Sequence, residues 1–150
     1  HNLAFYNSLD SLGATFVEET NYYRDDFIKV DLDDPLEAIA QRNYAEAALH
    51  NTRCRGKGGV TYPRLAGMAF HLTEQYKIDG VVLHLNASCR PQLIGLNYAK
   101  AMLMDRLNVP AMMMESDICD PRLFSEAQTK EAVNAFVETV ARAKEVRDKG

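Results

Sequence analysis

The segment 84–95 has the sequence HLNASCRPQLIG. It contains a cysteine and overlaps the end of a nearly continuous apolar run. Cys89 comes shortly after the run 81–85 and directly before Arg90 and Pro91. If a helix begins near position 91 or 92, its free N–H groups and the Arg90 guanidinium favour the thiolate over the thiol. A thiolate is the form that binds a metal ion or cluster and the form that attacks an electrophile. The residues alone also leave open a third role, a small half-buried thiol kept for packing.

The segment 115–122, ESDICDPR, gathers acids after a second apolar run. Glu115, Asp117 and Asp120 have the oxygen ligands that bind a cation or position a substrate hydroxyl. The same residue types also form turns, because Asp and Ser side chains bond to nearby backbone groups and Asp-Pro favours a bend. Cys119 lies in this segment and is a second candidate thiol, so a site and an ordinary turn both stay open.

Other catalytic patterns are weaker. A cysteine nucleophile requires a base, and His84 stands five residues before Cys89, where a histidine within an apolar strand is more often a core residue. The glycine-rich loop 51–59 lacks the spaced G-K-[ST] ending of a phosphate-binding loop, and no G-x-G-x-x-G is present. Classical nucleotide-binding motifs are therefore not supported.

The composition narrows the function classes. The chain has 150 residues, of which 47% are hydrophobic and 25% are charged, which is typical of one globular domain. A net charge of −4 argues against bulk binding of nucleic acid or an anionic membrane. No apolar run approaches the roughly 20 residues that cross a bilayer, and no signal peptide is recognised. Three widely spaced cysteines indicate the reducing cytoplasm.

Helical and strand patterns alternate along the chain, and they define the elements that must position these side chains. The predicted helices are 2–12, a helix from 35 capped by Asp34, 62–76, 92–107 and a final helix from about 125. Ser125 and Gln128 fit the S-x-x-Q pattern of a capping box at the start of the final helix. The predicted strands are 14–19, 81–85 and 111–115. Such βαβ alternation predicts an α/β fold with a three-layer arrangement, a parallel sheet covered by helices on both faces. Ligands bind beyond the carboxyl ends of such strands, where Cys89 and Asp117 both fall.

Several segments taken in order resemble one enzyme family. DGVVLHLNASCRPQLIG (79–95) and LNVPAMMMESDICDPRLFSEAQTKEAVNAFVE (107–138) resemble the C-terminal region of the 2-hydroxyacyl-CoA dehydratase and benzoyl-CoA reductase family. DPLEAIAQRNY (34–44) is similar to an earlier helix of that family. The resemblance extends from about residue 10 to about residue 140. It implies that residues 1–150 form a single α/β domain, a flavodoxin- or Rossmann-like half, at the C-terminal end of a larger subunit.

The resemblance also implies chemistry. Family subunits hold a 4Fe-4S cluster through three cysteines, and Cys89 in its S-C-R setting matches the ligand of the C-terminal domain. The other two ligands belong to an N-terminal domain, whose motifs neither Cys54 nor Cys119 matches. Arg90 and Asp117 are candidate substrate-binding residues for an acyl-CoA. The implied partners are a second homologous subunit and an ATP-dependent activator protein that delivers a low-potential electron.

The resemblance is compatible with two different reactions. A dehydratase, a lyase, removes the 2-hydroxyl group through a ketyl radical of the acyl-CoA, whereas a benzoyl-CoA reductase adds electrons to an aromatic ring. We favour the dehydratase and expect this domain to be inactive when isolated. A non-catalytic family member and a stand-alone metal-binding domain that uses Cys89, His84 and the acidic turn are the competing hypotheses.

Overall fold

A computed structural model describes residues 3–19, 29–53, 62–117 and 119–149. In chain order the elements are α1 (Leu3–Ser11), α2 (Pro35–Arg53), α3 (Arg64–Tyr76), β1 (Val81–Asn86), α4 (Arg90–Leu93), α5 (Leu96–Leu107), β2 (Ala111–Ser116), a 3-10 turn (Pro121–Leu123) and α6 (Glu126–Lys149). The fold is mixed α/β and mostly helical, with a small two-stranded parallel sheet. The predicted α/β class is confirmed at this level. None of the described helices is long and apolar enough to span a membrane.

The two strands place the loops of interest side by side. β1 and β2 run parallel in a register that pairs Val81 with Ala111 and continues to Asn86 opposite Ser116. Both strands therefore end at the same edge. The bond from Ala87 N to Ser116 O (3.1 Å) continues the pairing one residue further.

Helices α3 and α5 pack together and cover one face of this sheet. Leu83 of β1 and Ala111 of β2 lie in the core with these helices. They share one face of the sheet, because Ala111 pairs with Val81 and side chains two residues apart on a strand lie on the same face. The buried cluster consists of Tyr62, Ala66, Ala69, Leu83, Leu96, Ala99, Met102, Leu103 and Ala111. Leu96, Ala99 and Leu103 thus line the buried face of α5.

Helix α6 is attached to the opposite, amino edge of the sheet. Asp79, which precedes β1, accepts bonds from Lys144 Nζ (2.7 Å) and Arg147 Nη2 (2.5 Å). Val133 is almost fully buried. At the start of the helix, Gln128 N donates to Ser125 Oγ at 3.5 Å, which is one of the two bonds of the predicted capping box. The bonds between α6 and Asp79 therefore lie at the end of the sheet opposite Cys89.

The predicted strand 14–19 is wrong, because this segment has no strand structure. Gly13 ends α1 with a φ of +77°, and Ala14 N donates to Leu9 O at 3.1 Å. Tyr6 then stacks edge-on against Phe16, with ring centroids 4.8 Å apart. The segment folds back on its own helix, and these contacts replace pairing with the sheet.

The single helix predicted over 92–107 is also wrong. It divides into the one-turn helix α4 and the longer α5, because Gly95 adopts a φ of +88° between them. A side chain at this glycine would lie 3.0 Å from Cβ of Pro63. Glycine accepts both the left-handed conformation and the close approach.

Helix α2 begins as predicted but extends further than predicted. Asp34 Oδ1 accepts bonds from Leu36 N and Glu37 N, both at 3.1 Å, so the predicted cap is confirmed. The helix continues to Arg53, so the predicted loop 51–59 is wrong for its first three residues, and 54–59 lie outside the described part. Leu36 (81%), Ile39 (60%) and Tyr44 (80%) share an apolar face that is exposed.

Candidate functional site

Cys89 lies where the sequence placed it, just beyond the carboxyl end of β1. Asn86 ends the strand and is buried, and its carbonyl oxygen accepts a bond from Cys89 N at 3.0 Å. Cys89 is a free, half-buried thiol that immediately precedes α4. The thiol is thus presented at the edge of the sheet and is not sealed within the core.

Cys89 is followed by a very short helix and not by the long helix that was predicted. α4 contains only four residues, and few aligned peptide dipoles accumulate in one turn. Arg90 is exposed, and no ion pair joins it to another described residue. The structure therefore leaves its predicted contact with a substrate as a prediction.

Asp117 links the loops that follow the two strands. Its Oδ2 accepts a bond from Ser88 N (2.8 Å) and another from the Ser88 hydroxyl, while its Oδ1 accepts from Cys119 N (2.7 Å) and Asp120 N (3.0 Å). These bonds lower the pKa of Asp117 from 3.8 to about 2, with the Ser88 hydroxyl as the largest cause and Cys119 N–H next. Asp117 is consequently a carboxylate at neutral pH and is already fully engaged by protein donors.

The other acids do not join Asp117 in a cation site. The side chain of Asp120 bonds to the backbone N–H and the guanidinium of Arg122, and the guanidinium is the main cause that lowers the pKa of Asp120. Glu115 is exposed on β2. Among residues 3–19, 29–53, 62–117 and 119–149, no group of three or more His, Cys, Asp or Glu side chains could hold a metal ion. The turn interpretation of this segment is the better one.

His84 has a local partner that the sequence reasoning missed. Its Nε2 lies 2.6 Å from Oγ of Ser116, on the neighbouring strand. His84 pairs with Met114 in the sheet, so Ser116 stands two residues further along the same face. The alternation of side chains along two strands in known register would have revealed this pair. Its geometry accounts for His84 without a role as the base for Cys89.

The chemistry of the available donors fits one ligand of an iron–sulfur cluster. Thiolates hold such clusters, and Cys89 is a free thiol at an accessible edge. Cys119 is free and exposed, whereas Cys54 lies outside the described residues. Cys89 thus fits as one ligand of such a cluster. A surface depression of about 270 Å³, lined by residues that include Thr73 and Val109, lies at the other edge of the sheet and does not involve Cys89.

The fold and this site define a class of protein. It is an α/β domain whose candidate functional residues, Cys89 and Asp117, lie on loops at the carboxyl edge of a parallel sheet. Comparison with known proteins identifies the family. The family described as 2-hydroxyglutaryl-CoA dehydratase, D-component, matches residues 1–140, so the chain belongs to this family. No solved structure matches the chain significantly.

Two relatives carry names that describe dehydratases. The chain is 38% identical over 68 residues to the lactoyl-CoA dehydratase subunit alpha of Anaerotignum propionicum, a match that covers 45% of this chain and 16% of that protein. It is 26% identical over 87 residues to the (R)-2-hydroxyglutaryl-CoA dehydratase, subunit alpha, of Acidaminococcus fermentans, which covers 58% of this chain and 18% of that protein. The chain therefore matches less than a fifth of the length of either relative.

Proposed function

We propose that this chain is the C-terminal domain of a cytoplasmic 2-hydroxyacyl-CoA dehydratase subunit, a lyase. In this proposal Cys89 is one ligand of a 4Fe-4S cluster, and the surrounding edge of the sheet forms part of the acyl-CoA site for radical dehydration. The observation that carries the proposal is the position of Cys89, a free half-buried thiol at the carboxyl edge of a sheet in a chain of the dehydratase family. The dehydratase names of both relatives favour dehydration over reduction of an aromatic ring.

The roles of the domain's own residues follow from their contacts. When bound, a 4Fe-4S cluster supplies one-electron transfer. Cys89 supplies a sulfur donor, and the bond from Cys89 N to Asn86 O holds its backbone in the turn that follows β1. Arg90 is exposed next to the thiol, where a guanidinium can bind the phosphates or the thioester side of an acyl-CoA. Asp117, in contrast, has no acceptor capacity to spare for a substrate hydroxyl.

Two features support a larger assembly. Helices α3 and α5 cover one face of the two-stranded sheet in the described residues, so we propose that further strands and helices complete a three-layer sheet with helices on both faces. The exposed apolar face of α2 and the subunit names of both relatives agree with association with a second homologous subunit. An ATP-dependent activator would then deliver the electron.

Anaerobic cluster reconstitution tests the proposal. The full-length subunit is prepared as wild type, Cys89→Ala and Cys119→Ala, and iron and sulfide are measured together with the cluster absorbance. We expect Cys89→Ala to lose the cluster and Cys119→Ala, the matched control in the adjacent loop, to keep it. Equal cluster content in all three proteins would refute the assignment of Cys89. Stoichiometric zinc in the wild type, removed by Cys89→Ala, would instead support a metal-binding domain.

A further inference from the structure

The loop that contains Cys89 is held by a residue from the other strand. Ser88, its immediate neighbour, donates both its backbone N–H and its hydroxyl to one oxygen of Asp117, 29 residues away in the sequence. The second oxygen of Asp117 accepts the N–H groups of Cys119 and Asp120, which fixes the carboxylate in its own loop. Four donors therefore converge on one side chain that bridges two loops.

Two backbone bonds also hold the Cys89 loop to β1 and to the edge of β2. Ala87 N donates to Ser116 O and Cys89 N donates to Asn86 O. These bonds restrain the backbone on either side of Ser88, whereas the N–H of Ser88 itself donates to Asp117. The residue directly before Cys89 is thus bonded to a side chain from the loop after the other strand.

We propose that Asp117 is the positioning residue of Cys89 and not a substrate ligand. The carboxylate closes the Ser88 loop against the loop after β2 and thereby holds the thiol at one place on the sheet edge. The positioning of the thiol stands independently of its role, and only its consequence for iron binding rests on the proposed function. Because both carboxylate oxygens are already bonded, a substrate hydroxyl would have to displace a protein donor.

The reaction rate of the Cys89 thiol tests the proposal without any cluster. The purified apoprotein is alkylated with iodoacetamide, and peptide mass spectrometry follows Cys89 and Cys119 separately. Asp117→Asn keeps the size of the side chain and removes acceptor capacity, and Ser88→Ala removes only the hydroxyl donor. Asp120→Asn is the matched control, since it neutralises a neighbouring acid whose side chain bonds to Arg122 and whose N–H still reaches Asp117.

We expect Cys89 in Asp117→Asn to react about fivefold faster than in wild type, the factor that corresponds to losing roughly 1 kcal/mol of hydrogen bonding. Ser88→Ala should accelerate Cys89 and leave Cys119 unchanged, and Asp120→Asn should match wild type. An unchanged Cys89 rate in folded Asp117→Asn and Ser88→Ala would overturn the proposal. If Asp117→Asn does not fold, Ser88→Ala decides the question in the same way.

Iron release separates this proposal from the proposed function. In the reconstituted subunit, we expect Asp117→Asn and Ser88→Ala to bind iron and release it to a chelator faster than wild type, with Asp120→Asn unchanged. A cluster that survives Cys89→Ala removes the ligand assignment, while the alkylation rates still decide whether Asp117 positions the thiol. Altered alkylation with unchanged iron release would mean that Asp117 positions a thiol that does not hold iron.

Discussion

Gly80 allows helix α6 to lie against the start of β1. A Cβ atom at this position would overlap Cγ2 of Val140 and would lie 3.2 Å from Cζ of Phe136, both on α6. Gly80 has no positive φ, so Gly80→Ala introduces a steric change without backbone strain. Overpacking of this kind costs about 1–3 kcal/mol, and the reduced entropy of the unfolded chain returns about 0.4–1 kcal/mol. We expect a net loss of about 1–2 kcal/mol in the free energy of unfolding.

Urea denaturation followed by circular dichroism measures this loss. Val140 is β-branched and has few alternative rotamers, so it cannot turn aside cheaply. Val140→Ala removes the methyl group that would clash, and the double variant should be more stable than the sum of the single changes by about 1 kcal/mol. A Gly80→Ala protein as stable as wild type, or strict additivity in the cycle, would refute the close contact between α6 and this glycine.

Two further predictions concern the site and the core. Because the folded-state pKa of Asp117 is about 2, below the ordinary 3.8, its bonds to Ser88 are complete above about pH 4 and are lost as the pH falls through 2. An NMR titration of the Ser88 amide should therefore have its midpoint near 2, and a midpoint at 3.8 would contradict the bonded carboxylate. In the core, Leu103→Ala should cost about 2–5 kcal/mol, since Leu103 is 1% exposed, whereas its neighbour Met104, 49% exposed, should tolerate alanine within roughly 0.5 kcal/mol. Similar urea midpoints for the two variants would show that Leu103 is not a core residue.

Local signals predicted most of the regular structure. The Asp34 cap and the Ser125 capping box act on backbone groups within a few residues, so their sequence patterns were sufficient. The two apolar runs became β1 and β2 because their residues are apolar on both faces. The segment 14–19 also has a strand-like sequence, but it contacts α1 through Phe16 and Tyr6. A local sequence pattern does not predict that contact.

The sequence also predicted the place of Cys89 but not what surrounds it. A thiol after a parallel strand must lie at the carboxyl edge of the sheet, whatever the rest of the fold does. The partner of Ser88 could not be predicted, because Asp117 reaches it only when β1 and β2 align in one register. The pairing of His84 with Ser116 depends on the same alignment.

What the sequence determined by itself is therefore the order of helices and strands outside residues 14–19 and 92–107, the helix caps, the family and the edge at which the thiol stands. These follow from interactions between residues close in the chain or from motifs read in order. The tertiary structure alone decided that Asp117 bonds to Ser88, that Gly95 divides a helix against Pro63, and that the apolar face of α2 is exposed. Each of these depends on groups far apart in sequence that only the folded chain brings within hydrogen-bonding or packing distance.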